Sequence, residues 1–181
     1  MNSLKDIWSQ FQKFIRLNQD VFVRLSNDRY ESGNSLIVVL ISLLSIYIPF
    51  ILNSSSANFS DIVFYGLVDG IFAWLFATLA SWFLLTRAFN AIIEITNLLI
   101  FTGYAHGILG IFGIIILVNN YISIPQNIFQ LFTLFIFFWM YFVLTKAIST
   151  AFLLDKRISS IASVTFLAIL IFFSDPIRIF V

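Results

Sequence analysis

The chain has 181 residues and a net charge of +1, with 60% hydrophobic residues, 10% charged residues and 23 phenylalanines. Soluble domains carry about 45–50% apolar and about 25% charged residues, and a globule of this size has too little interior to hide the excess, so apolar surface must face lipid. The charge leaves no basic field for nucleic acid, and the absence of cysteine removes disulfides, thiolate catalysis and sulfur-ligated metals.

Residues 1–34 read as an amphipathic arm. They lack the unbroken apolar run of a cleaved signal peptide and mix acids with bases, so the first span acts as an uncleaved signal. Leu4, Ile7, Trp8, Phe11, Phe14 and Ile15 share one helical face, with Lys5, Ser9, Gln12, Lys13 and Arg16 opposite. Two placements are open. The helix lies in the headgroup plane, with Trp8, Phe11, Lys13 and Arg16 as its membrane-surface residues, or its apolar face packs on the protein's own bundle. Asn18 to Asp20 read as a break and a new N-cap, starting a second short helix that carries Val21, Phe22 and Leu25.

A hydrocarbon core of about 30 Å needs about 20 apolar residues in a helix. Five segments approach that length: 35–52, closed by the polar run Asn53 to Ser56; 62–85; 98–118; 128–148, just after Pro125; and 158–173, the shortest, stopped by Asp175-Pro176. The predicted fold is an all-α integral membrane bundle of about five transmembrane helices, occupying residues 35–181. Basic residues set its orientation. Lys5, Lys13, Arg16, Arg24, Arg29, Arg87, Lys146, Lys156 and Arg157 fall on one side, and only Arg178 on the other. The N-terminus is therefore expected in the cytoplasm and the C-terminus outside.

Three intramembrane polar residues are candidates for chemistry. Asp69 lies between Gly66 and Gly70 in the second span, where a carboxylate serves a proton or ion step or marks a late, interfacial helix start. His106, the sole histidine, lies beside Tyr104 and reads as a hydrogen-bonded structural residue, because no second histidine, cysteine or suitably spaced glutamate completes a metal site. Glu94 stands seven residues beyond Arg87, on a solvated or interfacial face if the connection is helical. Gly103, Gly107, Gly110 and Gly113 form a stepped small-residue set that predicts a close helix-packing face. No phosphate loop, nucleophile elbow or zinc helix motif occurs, so no enzyme activity, cofactor or metal is expected.

Three stretches carry a family resemblance. The first is Leu17-Asn18-Gln19-Asp20-Val21-Phe22 followed by Asn27-Asp28-Arg29. The second is Thr86-Arg87-Ala88-Phe89 followed by Thr102-Gly103-Tyr104-Ala105-His106. The third is Ile124-Pro125, the span containing Trp139, and Ala151 to Ala162 around Asp155. In this order they resemble the Yip (Ypt/Rab-interacting protein) domain family of five-span membrane proteins, in its short prokaryotic form. The chain departs from the family in having Gly107 and Ile108 where a proline is common, so glycines take the place of a proline kink. The resemblance implies an integral protein of a prokaryotic plasma membrane or thylakoid. Its eukaryotic relatives bind small GTPases, but this chain lacks their long cytoplasmic domain, and GTPase binding is not carried over. The expected function is a scaffold or accessory subunit that meets lipid, other membrane proteins or a second copy of itself. The alternative is a small proton- or ion-coupled transporter or channel subunit built around Asp69, His106, Thr78, Ser81 and Thr86.

Overall fold

A computed structural model describes residues 4–28, 30–53 and 66–173. The elements are all helices: α1 (Leu4–Ile15), α2 (Gln19–Asn27), α3 (Glu31–Asn53), α4 (Asp69–Phe83, continued by a wider π turn over Leu84–Ala88), α5 (Ile95–His106), a 3-10 turn (Gly107–Leu109), α6 (Gly110–Ile122), α7 (Gln126–Ala151) and α8 (Lys156–Phe173).

Among the described residues five stretches are long and apolar enough to cross a membrane: Glu31–Pro49, Gly66–Ala88, Ile95–Ile122, Gln126–Ala151 and Lys156–Phe173. A candidate helix overlaps each of the five expected segments, with shifted ends. The first helix begins at Glu31, inside what the sequence assigns to the arm, and the third continues through α5 and α6 with only the 3-10 turn between them. The expected start of the second span at Ile62, the polar run Ser54 to Ser56, Arg29, Asp175-Pro176 and Arg178 lie outside the described residues.

Local chemistry sets the boundaries. The Asn18 side chain accepts the Asp20 N–H at 3.0 Å and caps α2, as its sequence signal predicts. Helix α7 starts directly after Pro125, whose missing N–H costs nothing at a helix start. Among the described residues four turns pass through left-handed residues other than glycine: Leu17 (φ 61°), Asn90 (φ 50°), Ser123 (φ 52°) and Leu153 (φ 52°). Each follows the end of a helix, where such a residue redirects the backbone.

Helix α5 is the axis of the bundle. It is packed by α3, α4 and α7, and also by α1 and α2 of the arm, while α8 fills the space between α4 and α7. Outward positions are apolar: Ile41 and Ile48 on α3, Phe72 and Phe76 on α4, Leu131, Phe135 and Phe138 on α7 are all exposed. That distribution suits lipid as the surrounding solvent.

Candidate functional site

The small residues of the third span pack inside the protein. A Cβ added at Gly103 would lie 2.8 Å from Ser35 Cβ; at Gly107, 2.5 Å from Val38 Cγ1; and at Gly110, 3.3 Å from Ser42 Cα. At Gly113 it would collide with the Ser45 carbonyl. These four rungs let α3 lie close against α5 and α6. Ser42 and Ser45 then reach across, their hydroxyls donating to the carbonyls of His106 (2.9 Å) and Gly110 (2.8 Å). Gly103, Gly107, Gly110 and Gly113, the set marked in the sequence as a packing face, lie against α3.

The arm docks beside them, α1 on the third span and on Glu31 of the first, α2 on the third and fourth spans. Ile7, Phe11 and Phe14 are buried, whereas Leu4 and Trp8 are 68% and 57% exposed. The expectation of Phe11 as a membrane-surface residue is corrected: its ring fills the space left by Gly107, 2.6 Å from where a Cβ would stand. Trp8, Lys13 and Arg16 do face outward. Phe14 packs edge-on against Phe22 at 5.2 Å and lies tilted on Tyr104 at 5.4 Å, which ties α1 and α2 to the axis helix.

Beneath the arm lies a closed polar centre. Gln10 of α1 donates through Nε2 to Glu31 Oε1 at 3.0 Å, and Asn34 Nδ2 donates to Glu31 Oε2 at 2.9 Å. The Tyr104 hydroxyl, with one hydrogen to give, lies 2.7 Å from Gln10 Oε1 and 2.9 Å from Glu31 Oε2. All four side chains are buried. Three elements thus share one carboxylate, and loss of any member leaves buried polar atoms unmatched. Sequence reasoning missed Gln10, Glu31 and Asn34. The available signal was Gln10, a polar residue within the apolar stripe of Ile7, Phe11 and Phe14.

Tyr104 and His106 are neighbours in sequence but not partners. His106 is fully buried, and neither ring nitrogen has a hydrogen bond among the described residues. That corrects the hydrogen-bonded histidine expected from the sequence: the Tyr104 hydroxyl is already committed to the polar centre. Asp69 is exposed on α4, three residues into the helical stretch described from Gly66. It joins neither Tyr104 nor His106 in a site. Residues 89–94 are not helical, so the helical spacing suggested for Arg87 and Glu94 does not arise; Glu94 instead precedes α5 as its N-cap.

The hydroxyls of α4 and its π turn are engaged by carbonyls and, at Thr78, by Thr102 of α5. Thr78 Oγ1 bonds the Trp74 carbonyl at 2.8 Å and Thr102 Oγ1 at 2.9 Å, and Trp74 Nε1 donates to Thr102 at 3.2 Å. Ser81 bonds the carbonyls of Ala77 (2.9 Å) and Ala162 (3.3 Å), and Thr86 bonds Trp82 at 2.9 Å. These groups fasten helices together. Among the described residues no group of three or more metal-ligating side chains converges. No family model, curated protein or solved structure matches this chain.

Proposed function

We propose that this chain is a non-enzymatic membrane scaffold or accessory subunit whose docked arm presents a fixed surface to a partner. The observation that carries this reading is the buried Gln10–Glu31–Asn34–Tyr104 centre, which fastens α1 to the first and third spans while Leu4 and Trp8 remain outside. An arm built only to float among headgroups needs no such anchor. A fixed arm holds Trp8 and the exposed Lys5, Lys13 and Arg16 in a constant relation to the bundle. Aromatic and Arg side chains are the residue types that dominate partner binding.

The Yip resemblance belongs to this reading, supported by the order of an amphipathic arm followed by five candidate spans. The basic residues support a cytoplasmic N-terminus and an external C-terminus, in a prokaryotic plasma membrane or thylakoid. Because the chain has no native cysteine, single cysteines placed at Ser9 and Asn120 report sidedness directly. Labelling of Ser9→Cys from the outside would reverse the orientation.

Extraction in a lipid-preserving polymer, followed by mass measurement and identification of co-purifying proteins, tests the function. A defined oligomer or stoichiometric partner, lost on Trp8→Ala, is expected. A partner-free monomer would sink the proposal. The transporter alternative rests on His106, which is fully buried and has no partner for its ring nitrogens among the described residues. An ion flux in proteoliposomes abolished by His106→Leu would establish it.

A further inference from the structure

Between α4 and α8, on the face turned outward, lies an open groove of about 630 Å3. Phe76, Leu79, Ala80 and Phe83 wall one side, Thr165 comes from the other, and Arg87 stands at the end of the row. The polar groups along the wall are already engaged. The Thr165 hydroxyl donates to the Ile161 carbonyl at 2.9 Å, and the Trp82 indole N–H to the Ile93 carbonyl at 2.9 Å. What remains is an apolar trough with one exposed guanidinium at its mouth.

The dimensions and chemistry select an occupant. From Phe76 to Arg87 the helix rises about 16 Å, comparable to half of a hydrocarbon core of about 30 Å. Arg87 falls at the end of the membrane-crossing stretch Gly66–Ala88, the depth at which phosphate groups lie. A guanidinium meets a phosphate through two parallel N–H donors, a geometry no other side chain offers. Arg87 is carried on the π turn Leu84–Ala88, a wider helical turn of the kind that recurs at functional sites. The trough is continuous with the lipid-facing surface, since Phe76 and Phe83 are both more than half exposed.

We propose that this groove holds one phospholipid, its phosphate on the Arg87 guanidinium and one acyl chain along the Phe76–Phe83 wall. The site needs only that Arg87 be at a membrane boundary. It holds for either orientation of the bundle and does not depend on the scaffold reading.

The test uses the full chain, purified in detergent, delipidated and titrated with phosphatidylglycerol under native mass spectrometry. Diacylglycerol of the same chain composition serves as the phosphate-free probe. One phosphatidylglycerol should survive activation that strips the others, and diacylglycerol should not. Arg87→Gln should weaken retention about tenfold, the scale set by a charge-assisted hydrogen-bond pair. Thr165→Phe, which fills the trough, should abolish it. Equal retention of diacylglycerol by the unmodified chain would overturn the proposal without any variant. So would undiminished binding by Arg87→Gln, or a second protein chain shielding Phe83 in place of lipid.

Discussion

The two halves of the third span are alike in sequence and opposite in surroundings. From Leu98 to His106 nearly every residue is buried, sheathed by the arm helices and by α3, α4 and α7. From Gly110 to Ile122 only Phe112 and Gly113 are buried, and Ile111, Ile114, Val118, Tyr121 and Ile122 are exposed. Thr102, Tyr104 and His106 all lie in the sheathed half. A polar group at membrane depth would need protein around it; here α4 meets Thr102, α3 lies against His106, and the arm reaches Tyr104. The sheath turns one half of a spanning helix into the core of a small globular unit and leaves the other half bare.

The sharpest way to break this contrast is Glu31→Ala. It strips Gln10, Asn34 and Tyr104 of their shared acceptor and should cost on the order of 3 kcal/mol. Amide exchange should quicken through α1 and the first turns of α5 while α6 keeps its own rate. Uniform quickening would mean the halves are not separate units. Gly107→Leu attacks the sheath from outside the polar centre by displacing Phe11 and Val38, and about 2 kcal/mol of overpacking is expected in a reversible unfolding assay.

Smaller effects test the interior. Trp74→Phe removes the indole bond to Thr102 and should lower stability by about 1 kcal/mol. His106→Leu should act in the reverse direction, neutral or stabilising by up to about 1 kcal/mol, because it removes an unmatched polar ring from an apolar surround. A clear loss of stability on that substitution would show that the ring has a partner. Asp69→Asn, at an exposed position, should stay within about 0.5 kcal/mol by thermal unfolding.

Hydropathy alone made the five candidate spans legible, because run length is a property of consecutive residues. The N-cap at Asn18 and the helix start after Pro125 were equally local, and were read correctly. The glycine set was recognisable as a packing face, but its partner was not. Ser35, Ser42 and Ser45 carry no mark in one dimension that they would face Gly103, Gly110 and Gly113. The polar centre was hidden for the same reason: Gln10, Glu31 and Tyr104 come from three elements far apart in sequence. His106 misled because adjacency to Tyr104 in a helix points two side chains in different directions, with residues three or four apart sharing a face instead.

The bond from Tyr104 to Gln10 spans 94 positions along the chain. At a synthesis rate of about 5–20 residues per second, the arm therefore waits roughly 5–20 seconds for its dock to be made. Through that interval Ile7, Phe11 and Phe14 have no bundle to cover, and the membrane surface or a chaperone must hold them. A segment made well before its dock thus reaches its place late, when the arm closes over the third span.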